Sequence, residues 1–273
     1  MMKYSILCST GAIVGRANGF DHRLIIKYRD AIDADGFELM MLKAFYGNLS
    51  GIAGELNRAG VPIRTIHFEK DITALLGLGN DEDRREGLRL FTENIRMGDA
   101  VGAKKAVFHL WDGRFSAQQV KQGITLLETL YEICERHGVE LVVETVPCKT
   151  SPFSIVGEIA ERYPDARFTF DTRHVHFCRE TETFLQSPLW NRIGHLHISD
   201  YAGNTVPDMW GVTRPILHPG EGIIDFESFF AAMPDYHGET VTLESPVMFP
   251  DGSHDIPKLN KTLAYLREKT KNL

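Results

Sequence analysis

Cysteine is scarce in this chain. Cys8, Cys134, Cys148 and Cys178 are the only four, and no two stand at C-x-x-C spacing. That argues against a disulfide-built scaffold and suits a reduced, cytoplasmic setting. Long apolar runs are missing as well. None approaches the roughly 20 residues that cross a bilayer, so no membrane partner is expected. The first ten residues hold one lysine and a brief apolar run, unlike a signal peptide. Positive charge is in deficit, with 30 Lys and Arg against 37 Asp and Glu and a net charge of −7. A nucleic-acid partner, which calls for a basic face, is therefore not expected. No low-complexity segment, repeat or linker divides the sequence, and one domain over residues 1–273 is expected. Self-association through an exposed end of the fold is left open.

What is present is an ordinary globular mixture, 43% apolar and 25% charged, arranged in short alternating segments. Residues 4–9, 37–42, 63–68, 105–110, 140–146, 166–171, 193–199 and 240–245 are apolar, β-branched or aromatic runs of strand length. Helix-like segments lie between them. The spacing of Leu24, Ile25, Tyr28 and Ile32 predicts a helix over 21–35 with Asp21 as its cap. A second covers 48–59, closed by Gly60 and a Val-Pro step. Leu88, Phe91 and Ile95 stripe a third over 81–100, and Ser116 with Gln119 opens a fourth as a capping box. Residues 153–163, 181–191 and 257–269 complete the set, together with a segment behind an Asp225 cap. Eight β-α units imply parallel strands, because parallel neighbours need a crossover. The expected fold is an α/β (β/α)8 TIM barrel, whose sites lie at the C-terminal ends of its strands. An open doubly wound sheet is the alternative, but no G-x-G-x-x-G follows the first strand.

Six of the eight strand segments carry a histidine or carboxylate late in the run: His67, His109, Glu144, Asp171, His195 with His197, and Glu244. Side chains alternate across a strand, so Glu144, Asp171, His197 and Glu244 can share the inner wall while Val143, Phe170, Ile198 and Leu243 face the helices. Any one of these polar residues has an ordinary explanation, such as a cap or a backbone partner. Several carboxylates converging without matching arginines would repel unless a cation sits between them. Carboxylate and imidazole ligands without a thiolate favour Mn, Mg, Co or Zn. The densest cluster, Asp171, His174 and His176, is expected where a strand gives way to a loop.

The segments V-V-E-T-V-P, F-D-T-R-H, H-L-H-I-S-D, H-P-G-E-G-I-I-D-F and T-L-E-S-P, in that order along the chain, resemble the xylose isomerase-like TIM barrel superfamily. That group includes sugar and sugar-phosphate isomerases and 3-epimerases, inosose dehydratase-like proteins and endonuclease IV-type DNA-repair enzymes. The resemblance implies one divalent metal held by Glu144, Asp171, His197 and Glu244, with Glu144 and Glu244 doubling as the acid/base pair of an enediolate reaction on a sugar or sugar phosphate. His195, the first histidine of H-x-H, is then a support residue. His67, His109 and His174 become candidates for holding substrate oxygens, Trp111 or Trp210 for lying against a sugar face, and Arg214, Arg173 or Lys149 for receiving a phosphate. Glu221 is a candidate partner behind the ligands. An abasic-site phosphodiesterase would use His67, His109 and His174 as further ligands. Those relatives also carry an Asp-x-His pair shortly before G-E-G, where this chain reads T-R-P-I-L-H-P-G-E-G. A dehydratase acting through the same enediolate is the other alternative.

Overall fold

Eight parallel strands close into a barrel in the computed structural model of the chain, which describes residues 4–208, 211–213 and 215–271. They are β1 (Ser5–Ser9), β2 (Gly36–Met40), β3 (Ile63–His67), β4 (Lys105–Phe108), β5 (Glu140–Glu144), β6 (Arg167–Asp171), β7 (Ile193–Ile198) and β10 (Thr240–Leu243). Hydrogen-bonded neighbours follow the chain from β2 to β7, and β10 seals the ring between β7 and β1. A short antiparallel hairpin, β8 (Val206–Asp208) and β9 (Gly211–Thr213), stands outside it in the excursion after β7. The barrel expected from the β-α alternation is thus the fold observed.

Alternation along each strand divides its side chains. Outward residues such as Ile6, Ile66, Val143, Phe170, Ile198 and Leu243 join one apolar cluster with the surrounding helices. Removing that much hydrocarbon from water is the main favourable term of the fold. The inner wall differs. Leu7, Val107 and Val142 are fully buried but stand apart from that cluster. Their inward neighbours are polar: Glu38, Thr65, Thr169, His195 and Thr242, all buried at 0% exposure. Buried polar groups are as a rule hydrogen-bonded; most of these are, the Thr169 hydroxyl being without a partner among the described residues, and this polar centre leads upward to the site.

The helices α1 (Arg23–Tyr28), α2 (Leu49–Arg58), α3 (Asp71–Gly77), α4 (Asp81–Ala100), α5 (Ala117–Glu135), α6 (Pro152–Arg162), α7 (Thr172–Phe177), α8 (Thr181–Leu185), α9 (Phe226–Ala232) and α10 (Ile256–Lys269) lie between the strands. The Ser116/Gln119 box caps α5, and Asp225 accepts from the Ser228 N–H at the start of α9. Three expectations are corrected. The helix over 21–35 shrinks to α1, because Asp21 accepts from the Arg23 N–H in a local turn rather than capping a long helix. Residues 71–77 form a helix where none was expected. The stretch after Asp171 is the helix α7, not a loop, since the Asp171 carboxylate caps it by accepting from the His174 N–H at 2.7 Å.

The excursion after β7 is anchored by one carboxylate. Asp200 accepts from the backbone N–H groups of Tyr201, Gly220, Gly222 and Ile224 at 2.8 to 3.1 Å. Gly222 must approach closely for this: a Cβ there would lie 2.2 Å from the Tyr201 carbonyl oxygen and 2.3 Å from Asp200 Oδ1. Gly222→Ala is therefore expected to displace the loop and to cost about 1–3 kcal/mol, read as a lowered melting temperature in calorimetry.

Candidate metal centre

Strand register brings the expected ligands to one depth. Asp171, the last residue of β6, pairs with His197 of β7, and Glu144 ends β5 beside them. Glu244 follows directly on β10, tied by its N–H to the Ile198 carbonyl. One donor atom from each of Glu144, Asp171, His197 and Glu244 lies within 4.8 Å of all the others. His197 Nδ1 stands 3.3 Å from Glu144 Oε1 and 3.4 Å from Glu244 Oε1. Glu144, Asp171 and His197 are buried, whereas the Glu244 side chain is 10% exposed and forms the open side of the group.

The electrostatics are those of a donor set short of positive charge. Burial raises the Asp171 carboxyl, Arg173 offsets part of the rise, and Glu244 and Glu144 add to it, bringing the group up to about 7. Asp171 Oδ2 accepts no hydrogen bond among the described residues; the nearest cation is the Arg173 guanidinium at 3.7 Å. Burial alone would depress the His197 imidazole, yet Glu244, Glu38 and Glu144 hold it well above its usual range. For Glu144, burial is outweighed by the imidazoles of His109 and His197, and its carboxyl sits well below the usual range. Three carboxylates and one imidazole in this arrangement suit a divalent cation with oxygen and nitrogen ligands.

The model for the xylose isomerase-like TIM barrel matches residues 16–269. The chain belongs to this family. Among curated proteins no sequence matches. Solved structures of the same fold include the IolI protein with a bound zinc atom, at 15% identity and a TM-score of 0.70 over 98% of this chain and 97% of that one. A D-allulose 3-epimerase from Methylomonas sp. in complex with D-allulose is 17% identical with a TM-score of 0.71, covering 98% of both chains. The probable 3-DHS dehydratase AsbF from Bacillus anthracis is 16% identical with a TM-score of 0.67, over 97% of this chain and 98% of that one.

On this xylose isomerase-like barrel the remaining expected residues separate. His67, at the end of β3, and His109, just past β4, both turn to the other oxygen of Glu144, with Nε2 at 3.2 Å and 2.5 Å from Oε2. Burial tends to lower the His67 imidazole, but its bond to Glu144 raises it overall; for His109, burial prevails and lowers it. His174, on α7, faces the same group, with Nδ1 3.6 Å from Glu144 Oε1 and 3.7 Å from Asp171 Oδ2. Trp111 is placed elsewhere. It is fully buried in the apolar cluster and its indole N–H donates to the Val146 carbonyl, so its face is packed rather than offered to the mouth. Glu221 is also placed elsewhere, paired with Lys258 of α10 at 2.7 Å. Arg214 and Trp210 lie outside the described residues.

One residue of the site was not anticipated. Glu38, in the middle of β2, is buried at 0% exposure beneath His197. Its Oε2 lies 2.9 Å from His195 Nε2 and 3.2 Å from His197 Nε2, and accepts from the Thr65 hydroxyl at 3.0 Å. His195, the first histidine of H-x-H, has its Nδ1 2.6 Å from the Thr240 hydroxyl.

Proposed function

We propose that this protein is a cytoplasmic, metal-dependent isomerase or 3-epimerase acting on a small sugar or sugar phosphate. The observation that carries the reading is the meeting of Glu144 and Glu244 at His197 Nδ1, 3.3 and 3.4 Å away, with Asp171 in the same group. These four residues would hold one divalent ion, Mn, Mg, Co or Zn. When bound, such an ion withdraws electron density from the oxygens it touches and acidifies a C–H between a carbonyl and a hydroxyl.

Glu144 and Glu244 are the proton-transfer pair. Glu244 is the more accessible and removes the substrate proton, leaving an enediolate; Glu144, an ionised carboxylate at rest, relays to the other side a proton taken from the His67 imidazole, which holds its proton more tightly beside Glu144 and regains one from solvent. Return to the same carbon inverts it, and return to the neighbouring carbonyl carbon exchanges aldose for ketose. His174 faces the substrate side from α7, whereas His67 and His109 serve Glu144: Nδ1 of His67 donates to the Phe68 carbonyl at 2.9 Å, and the Nε2 atoms of both rings face Glu144 Oε2. The depressed His109 imidazole is neutral at pH 7, so it can donate one N–H to Glu144 without protonating it.

The test is turnover in deuterium oxide with a panel of ketohexoses and their phosphates, using metal-loaded protein. The expected product carries deuterium at the carbon next to the carbonyl. Full turnover without incorporation would sink the acid/base pair. A second reading, cleavage at abasic DNA, draws on the further donor group His67, Glu144 and His197. It requires two or three metals per chain and nicking of an abasic duplex, and the net charge of −7 weighs against it.

A further inference from the structure

A carboxylate can only accept hydrogen bonds, so the ring nitrogen that faces it has to carry the proton. Glu38 is faced by two such nitrogens, Nε2 of His195 at 2.9 Å and Nε2 of His197 at 3.2 Å. For His195 the second nitrogen is accounted for, since the Thr240 hydroxyl at 2.6 Å can donate to Nδ1. His197 is different. With Nε2–H committed to Glu38, its Nδ1 is directed at Glu144 Oε1 and Glu244 Oε1, both of them acceptors. A lone pair aimed at two carboxylates is stable only when a metal cation or a second ring proton lies among them.

We infer that Glu38 is a positioning residue that fixes His197 as the Nε2–H tautomer, so that Nδ1 is the ligand atom of the metal centre. The inference rests on the metal reading above and deepens it. Without Glu38, His197 has a competing arrangement: the Nδ1–H tautomer donates directly to Glu144 or Glu244 and satisfies them with no metal. Glu38 removes that neutral tautomer and leaves only a second ring proton on Nδ1 to compete with the metal. Its own geometry is over-determined by the Thr65 hydroxyl at 3.0 Å, the Thr242 hydroxyl at 3.5 Å and complete burial. Glu38, His195 and His197 are not a second metal site on this geometry. An ion there would need His197 to ligate through both nitrogens at once, and it would displace the N–H donors that compensate a carboxylate at 0% exposure.

The test uses the full chain loaded with Zn2+ and labelled with 15N-histidine. Long-range proton–nitrogen correlation is expected to show His197 with a protonated Nε2 and a metal-shifted Nδ1; a metal-bound Nε2 overturns the inference. In parallel, Glu38→Gln is expected to weaken Zn2+ binding about 10- to 100-fold in chelator competition. The metal-free variant should also show an Nδ1–H signal for His197. Unchanged affinity in a folded Glu38→Gln protein overturns the inference while leaving the metal centre standing. If wild-type protein takes up no Zn2+, the metal reading and this inference fall together. Should Glu38→Gln fail to fold, the wild-type spectrum alone decides.

Discussion

Glu144→Gln and Glu244→Gln are each expected to lower turnover of an accepted sugar by about 10³-fold, the usual scale for losing a positioned acid or base. The two losses should differ in kind. Glu244 sits on the open side of the group, and an amide there keeps a carbonyl oxygen for a metal, so metal content at saturation should stay close to wild type. Glu144 holds more of the structure. Its Oε2 takes the Nε2 atoms of His67 and His109, and its Oε1 faces His197 and His174. With its oxygen kept toward His67 and His109, the amide turns its nitrogen to His197 Nδ1 and donates to the lone pair that the metal would take. Glu144→Gln should therefore lose metal affinity along with turnover. The measurements are single-turnover deuterium exchange, elemental analysis and a thermal melt on each variant. Wild-type turnover in either one at full metal loading would remove that glutamate from the reaction.

Much of the barrel and its upper rim was legible in the sequence because two local rules coincide there. Period-two alternation sent Val143, Phe170, Ile198 and Leu243 outward, and parallel β-α order placed the strand ends on one face. Glu144, Asp171 and His197 could be named because each interrupts an apolar run at that end. Glu38 was missed for the complementary reason. It lies mid-strand between Phe37 and Leu39, and a search of strand ends passes over it. Its available signal was an acidic residue enclosed by bulky apolar neighbours at inward parity, a position that is costly unless donors surround it. Those donors, His195, His197 and Thr65, come from sequence positions up to 159 apart, which only closure of the barrel brings together. Trp111 failed by the same logic in reverse. A tryptophan just past a strand end looks available to a ligand, and only the packing of the helices shows that it is enclosed. The helix after Asp171 was obscured because one carboxylate does two jobs, with Oδ1 capping α7 and Oδ2 turned toward the donor group.

That division of labour makes Asp171→Asn the sharpest probe of the centre, because its two effects have opposite signs. Asparagine caps a helix about as well as aspartate, so α7 should persist. The carboxyl it replaces is raised from the usual 3.8 to about 7 by burial and by Glu244 and Glu144. A raised carboxyl binds its proton more tightly in the folded chain than in the unfolded one, so ionising it costs stability as pH climbs from near 4 through 7. At pH 8 the metal-free wild type bears that cost in full and the asparagine variant does not. Metal-free Asp171→Asn is therefore expected to melt no lower than wild type at pH 8. With metal the order should reverse. A ligand at about 100 times its Kd stabilises the folded state by about 2.7 kcal/mol, roughly 5–10 °C for a chain of this size, whereas the variant should show little or no shift. The wild-type shift should also shrink as pH falls below about 7, because protons on Asp171 and His197 then compete with the metal for the same lone pairs. Melts of both proteins with and without Zn2+ or Mn2+ at several pH values make the comparison. An undiminished metal shift in Asp171→Asn would mean that the ion binds without the β6 carboxylate. The centre would then have to be rebuilt around His67 and the other oxygen of Glu144.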